Sequence, residues 1–319
     1  MKVLTVTGAS GYLGGRVVDY ASRHPDLRVR SVVRGPSPWL AGETVHIESL
    51  EVDGDRAVSG SDFVIHLAGA NEVAASSDPD ASLRDTVAVA RAVAEGCSRS
   101  GVSRLVYVST VHVYGQALQA GELVDEETIP QPRSPYAIAR LAAEHSIQTY
   151  SGTTQVVILR LTNSVGAPAH PAVDRWSLVG NDLCRQVACG GPITLKSSGQ
   201  QWRDFVAMRD VVEILTVASL EETIAPSTYN LGAGVPTTIR QFANLVAEVA
   251  DRNGLGHPDV VAPAPEPNPP APYRISVGRL SAYGCTAKTP LDDAIAETLL
   301  FCARHSEQLC EDRESIAPG

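Results

Sequence analysis

Three stretches of this chain carry residues whose types and spacing could do chemistry. The first is Met1–Arg16, MKVLTVTGASGYLGGR. The apolar run Val3–Val6 stops at Gly8, Gly11 and Gly14 follow at intervals of three, and Val17, Val18 and Tyr20 resume at helical spacing. That pattern is a strand, a tight glycine turn and a helix start. A turn without Cβ atoms lets backbone N–H groups approach a phosphate, and the helix N-terminus behind it offers unpaired donors and a partial positive charge. The ligand that fits is the pyrophosphate of a dinucleotide, although the spacing is Gly-x-x-Gly-x-x-Gly and not Gly-x-Gly-x-x-Gly. The second stretch, residues 106–115, VYVSTVHVYG, is a strand emptying into polar residues, Thr110 and His112 among them. In an open α/β sheet, ligands bind at the carboxyl edge where such strands end. The third is Ser134-Pro-Tyr136-Ala-Ile-Ala-Arg140, which opens an amphipathic helix continuing through Leu141, Glu144 and Ile147. Tyr136 and Arg140 are four residues apart, so their side chains share a helix face.

The elements that must position these residues alternate. After the first helix, Val29–Val33 reads as a second strand ending at Arg34, twenty residues beyond Gly14. There a nicotinamide-cofactor site keeps an acid for the ribose 2′-OH, or an Arg nearby for a 2′-phosphate. With Arg34 present and no acid, NADP is slightly favoured over NAD. Residues 45–47 read as a third strand ending toward Asp53, and 63–67 as a fourth ending at Ala68, Gly69 and Ala70, small residues that let a cofactor pass over the strand ends. A helical run over 82–97 precedes another buried strand at 105–108. The alternation implies a doubly wound parallel sheet of Rossmann type with helices on both faces. From about Pro168 prolines punctuate shorter elements, with helical periodicity over 210–220, 239–249 and 291–303. The expected organisation is a dinucleotide-binding domain over 1–165, a smaller substrate lobe mainly over 166–305 with some segments returning to the first domain, and a polar tail over 306–319.

Composition narrows the class. With 319 residues and 44% hydrophobic content the chain can fill a core of this size. A formal net charge of −10, without clusters of Lys or Arg, argues against nucleic acid or an anionic membrane as partner. No apolar run approaches the length of a membrane span, and the N-terminus enters a strand directly, so a cytoplasmic location is expected. Six cysteines at 97, 184, 189, 285, 302 and 310 lack metal-ligand spacing; no metal site and no disulfide framework is expected, and they read as reduced and inert.

Together the glycine turn, Thr110 and Tyr136-x-x-x-Arg140 resemble the extended short-chain dehydrogenase/reductase family, which includes nucleotide-sugar epimerases, dehydratases and reductases. HLAGA at 66–70, LRLTNSVG at 159–166, WRDFVAMRD at 202–210 and YNLGAG at 229–234 are similar to that family's segments in the same order. The resemblance implies an NAD(P) cofactor held by Gly8, Gly11, Tyr12, Leu13 and Gly14, with Arg34, Asp53, Leu67, Ala68, Gly69, Tyr136 and Arg140 as further contacts. It implies hydrogen-bond help from Thr110, and Tyr136 as the acid/base that exchanges a proton with a sugar hydroxyl while hydride moves to or from the nicotinamide. His112, Asn163, Arg203 and Arg274 would face a sugar substrate, expected to be nucleotide-linked, and a homodimer is compatible with it.

Departures from the family pattern shape the expectation. The usual motif is Tyr-x-x-x-Lys, and here the Lys position holds Arg140. A free tyrosine titrates near ~10, so a tyrosine base working near pH 7 needs about 4 kcal/mol of preference for the phenolate. A cation about 4 Å away at an effective dielectric near ~20 supplies a comparable amount. Arg provides that charge, but its planar fork on a longer stem does not reproduce the compact ammonium. In the family's hexose dehydratases the threonine is followed by Asp-Glu, whereas Thr110 is followed by Val111-His112, so the usual elimination pair is absent. The reading is therefore an NAD(P)-dependent epimerase or ketoreductase acting on a sugar. The contrasting reading is a non-catalytic dinucleotide- or sugar-binding protein, favoured by Arg140 and opposed by Thr110 and Tyr136.

Overall fold

β1 (Lys2–Thr7) is buried from Val3 onward because it lies inside a sheet covered on both faces. The computed structural model describes residues 1–119 and 121–314. After the glycine turn come α1 (Tyr12–Ala21), β2 (Leu27–Val33), β3 (Glu43–His46), α2 (Leu50–Val58), β4 (Phe63–His66), α3 (Glu72–Ser77), α4 (Pro79–Ser100) and β5 (Arg104–Thr110). A 3-10 stretch, Val111–Gln119, leads to β6 (Leu123–Val124), α5 (Pro135–Gln148) and β7 (Gln155–Leu161). The remainder comprises β8 (Asn163–Val165), α6 (Val179–Ala188), β9 (Ile193–Thr194), β10 (Trp202–Ala207), α7 (Met208–Leu220), β11 (Thr228–Leu231), β12 (Pro236–Thr238), α8 (Ile239–Arg252), β13 (Val260–Val261), β14 (Arg274–Ile275), α9 (Gly278–Ser281), α10 (Leu291–Arg304) and α11 (Ser306–Glu314).

Seven strands pair in the order β3-β2-β1-β4-β5-β7-β11, all parallel. The expected doubly wound sheet is present. Strand order reverses between β1 and β4, the switch point at which such sheets hold ligands. Alternation along the strands builds the two faces: Leu105 and Tyr107 of β5 pack with α2, α4 and α5, while Val106 and Val108 pack with α1 and α7. A second apolar core gathers α6, α8, α10 and strands β8 to β10. The chain enters this second layer after β7, and α7, β11 and α9 return to the sheet's core.

Local signals set the helix starts that matter here. Ser134 caps α5 by accepting from the Ala137 N–H, with Pro135 in the first turn, which fixes Tyr136 at the helix mouth. Asp78 caps α4 in the same way, again followed by proline, and Gly101 closes it in the left-handed conformation.

Three expectations need correction. The third strand does not run toward Asp53: Ser49 caps a helix there, and Asp53 sits in α2 accepting from the Glu48 N–H. The tail over 306–319 is helical as far as Glu314, with Leu309 buried in the second core; 315–319 lie outside the described residues. Two of the six cysteines are not reduced, because Cys189 and Cys310 form a disulfide. They are 121 residues apart in sequence, and only the packing of α11 on the C-terminal end of α6 brings them together, so spacing could not reveal the pair. Cys97, Cys184, Cys285 and Cys302 are free and buried. Burial pushes the Cys97 and Cys302 thiols up to about 12, which keeps them unreactive.

Candidate active site

A cavity of about 490 Å³ opens at the carboxyl edge of the sheet and runs between the two layers, within the size range of cofactor and substrate sites. Its wall includes Gly8, Gly11, Tyr12, Leu13 and Gly14 from the glycine turn, Leu67 and Gly69 from beyond β4, and Thr110, His112, Tyr136, Arg140, Asn163 and Arg203. Ala68 lies behind that wall against the glycine turn, its N atom 2.8 Å from where a Gly8 Cβ would be. The turn is tight enough that a Cβ on Gly14 would fall 2.1 Å from the Gly8 carbonyl oxygen. α1 begins at Gly11 without a side-chain cap, leaving its first N–H groups for a ligand. These residues fit a dinucleotide pyrophosphate.

Arg34 directly follows β2, exposed, beside the strand that carries the turn. It does not line the cavity, and neither does Asp53, which faces Arg56 at 3.8 Å. Arg274 is also apart from it. β14 alternates, burying Tyr273 and Ile275 and turning Arg274 to solvent, so the expectation that Arg274 faces the substrate is not met.

Tyr136 and Arg140 do share a face. The Arg140 guanidinium carbon lies 5.3 Å from the centroid of the Tyr136 ring, cation–π distance. Arg140 is only 7% exposed. Its Nη1 donates to the Tyr107 hydroxyl and the Val108 carbonyl at 3.4 Å each, and its Nη2 to the Ala70 carbonyl at 3.3 Å. Burial works against its charge, but the oxygens of Tyr136 and Tyr107 outweigh it and raise the pKa. Beneath it His66 is fully buried, with Nδ1 2.6 Å from Thr7 Oγ1 and its ring stacked on Tyr107 at 5.5 Å. Burial, reinforced by the Arg140 charge, pushes His66 down to about 3.

Thr110 ends β5 and accepts from the His112 N–H at 3.2 Å. The strand end is held from behind: Ser109 donates to Glu144, which pairs with Arg160 at 2.7 Å in the buried interior. Arg160 in turn lies 4.8 Å from the centroid of the Tyr114 ring. His112 is half-buried, and desolvation followed by the Arg203 charge pushes it down to about 4, with Glu72 acting in the opposite sense. It is a neutral imidazole at pH 7. Asn163 donates to the Asp204 carbonyl at 3.0 Å, and Arg203 to that of Trp202 at 2.7 Å.

Residues 4–232 match the family model described as the NAD dependent epimerase/dehydratase family. The chain belongs to this family. GDP-6-deoxy-D-mannose reductase of Pseudomonas aeruginosa is 31% identical over 261 residues, covering 77% of this chain and 80% of that protein. Two solved structures share the architecture. MoeE5 in complex with UDP-glucose and NAD superposes with a TM-score of 0.79 at 25% identity, over 95% of this chain and 99% of that one. RMD from Pseudomonas aeruginosa complexed with NADPH gives 0.77 at 25% identity, over 96% and 100%.

The cavity also contains residues that sequence reasoning passed over. Asn71 and Glu72 open α3, and Arg175, Ser177 and Leu178 lead into α6. No motif surrounds Arg175, and its partner Glu72 lies 103 residues away. The signal available for Glu72 was its position directly after HLAGA and Asn71, where a cofactor-binding strand has just ended. Among the described residues, no helix is long and apolar enough to cross a membrane.

Proposed function

We propose that this protein is an NAD(P)-dependent oxidoreductase acting on a nucleotide-linked sugar, as an epimerase or ketoreductase, with Tyr136 as its acid/base. The observation that carries this reading is Tyr136 held against the Arg140 cation in the same cavity wall as Thr110 and the glycine turn. A bound nicotinamide supplies the hydride donor or acceptor. The Tyr136 oxygen gives or takes the proton of the sugar hydroxyl, with the Arg140 cation beside its ring. Thr110, whose Oγ1 already accepts one hydrogen bond, has its O–H available to orient that hydroxyl. Neutral His112 and the Asn163 and Arg203 pair line the sugar and phosphate side.

Elimination of water fits the cavity less well. It calls for a positioned acid and base, and Glu72, already paired with Arg175, is the only carboxylate among the described lining residues. That the named relatives include a GDP-sugar reductase and a UDP-glucose complex supports a nucleoside-diphosphate sugar. Arg34 on the exposed end of β2 supports NADP at least as strongly as NAD, as a surface cation suited to a 2′-phosphate. A homodimer is compatible with the exposed Leu83 and Ile138 of α4 and α5. The test is a panel of UDP-, GDP- and dTDP-sugars offered with NAD(H) and NADP(H), reading nicotinamide absorbance and the sugar product. Turnover of one of them supports the reading; cofactor binding without turnover of any, in wild type and Arg140→Lys alike, moves the assignment to a binding protein.

A further inference from the structure

Glu72 and Arg175 belong to different layers and meet across the cavity. Arg175 Nη2 lies 3.1 and 3.0 Å from the two Glu72 carboxylate oxygens. Among the described residues this is the one ion pair whose members both line the cavity. The side chains are 19% and 42% exposed, so water competes with the bond and the pair is a weak one. The other two lining cations are committed to fixed backbone partners, Arg140 to Val108 and Ala70 and Arg203 to Trp202. Arg175 is held by a carboxylate that can be replaced. It also stands three residues before Leu178, the N-cap of the ten-residue helix α6, which has no side-chain cap and whose first residues line the cavity. A cation held only by an exchangeable carboxylate, beside an uncapped helix start, is an arrangement suited to a polyanion.

Resting on the nucleotide-sugar reading above, we propose that Arg175 is an exchangeable anchor for the substrate diphosphate, with Glu72 as its place-holder. Without substrate the carboxylate ties the two layers together across the cleft. A diphosphate brings more negative charge than one carboxylate, so it takes the guanidinium and lies against the start of α6. Glu72 is then released beside His112, whose surroundings it already influences. The exchange selects diphosphate-linked sugars over sugars without such a group, because only a polyanion both displaces Glu72 and satisfies Arg175.

Opposite signs make this testable. Titration calorimetry is run with UDP, GDP and dTDP on the NADP-saturated protein, for wild type, Glu72→Gln, Arg175→Gln and Arg175→Lys. Glu72→Gln removes the competitor and is expected to tighten the best nucleotide by at least about threefold. Arg175→Gln is expected to weaken it by about tenfold or more, and Arg175→Lys to recover part of that loss. NADP affinity, read separately, stays within about twofold in all four proteins. If a nucleotide binds wild type but Glu72→Gln leaves its affinity equal or weaker, the exchange is wrong while the nucleotide-sugar reading stands. If none of the three binds wild type or Glu72→Gln, both are wrong.

Discussion

Arg140 occupies the space that a side chain on Gly69 would need. A Cβ at Gly69 would sit 3.2 Å from both terminal nitrogens of the Arg140 guanidinium and 3.3 Å from its central carbon, and Gly69 has φ +153°, a conformation that side chains disfavour. The two residues are therefore a matched pair: the longer, planar head that replaces the family's ammonium fits because the strand end beside it carries no side chain.

Gly69→Ala is expected to push the guanidinium off the Tyr136 ring and lower kcat/KM by about tenfold, and the same change in an Arg140→Lys background should cost less than about threefold. Contacting residues show such couplings of roughly 0.5–3 kcal/mol. A double-mutant cycle on kcat/KM reads it directly, and equal losses in both backgrounds would dissolve the pairing.

Cofactor choice turns on Arg34. NADP should bind at least as tightly as NAD, and Arg34→Asp should reverse the order by placing an acid where a ribose 2′-OH is held. Titration with both cofactors decides it; a wild-type preference for NAD above about tenfold, or about 1.4 kcal/mol, removes Arg34 from the 2′-phosphate.

The buried His66 makes stability fall in acid. Its folded value of about 3 lies below the ~6.5 of an unfolded histidine. The neutral ring's contribution is thus fully present above ~6.5 and is lost as pH falls from there toward 3, with a slope on the order of 1.4 kcal/mol per pH unit. Thermal unfolding from pH 7.5 to 4.5 should show this limb in wild type, and His66→Gln should flatten it even with a lower Tm at neutral pH. An unchanged slope in His66→Gln would place the acid lability elsewhere.

Joining Cys189 to Cys310 closes 121 residues of sequence. Cys310→Ala should destabilise the protein by about 2–4 kcal/mol through the greater freedom of the unfolded chain, and a reducing agent should lower the wild-type Tm while leaving that of the variant unchanged. If wild type and variant unfold together with and without reductant, the disulfide contributes nothing to stability.

Much of the frame was readable from residues alone because its signals are local. The glycine turn, the β-branched runs of β1, β2, β4 and β5, and Ser134-Pro135 at the mouth of α5 each declare themselves within a few positions. Tyr136 and Arg140 were placed together by helical periodicity, which needs no tertiary information. What escaped depends on distant contacts. Asp53 looked like a strand-end acid, yet Ser49 starts a helix before it. Alternation on a two-residue strand decides that Arg274 faces outward, and its register comes from pairing with Leu123, 151 positions earlier in the chain. Glu72 with Arg175 and Cys189 with Cys310 join segments that meet only after both layers have packed.

The central claim is that Tyr136 moves the proton while the Arg140 cation supports it. Its most direct measurement is single-turnover hydride transfer, followed by nicotinamide absorbance with the best nucleotide sugar, in wild type, Tyr136→Phe, Arg140→Met and Arg140→Lys, with cofactor affinity measured in each. The account predicts that all four bind cofactor and that Tyr136→Phe abolishes transfer. It predicts a loss in Arg140→Met that is relieved at alkaline pH, and activity retained or raised in Arg140→Lys. Rates within a few-fold of wild type in both Tyr136→Phe and Arg140→Met would contradict it.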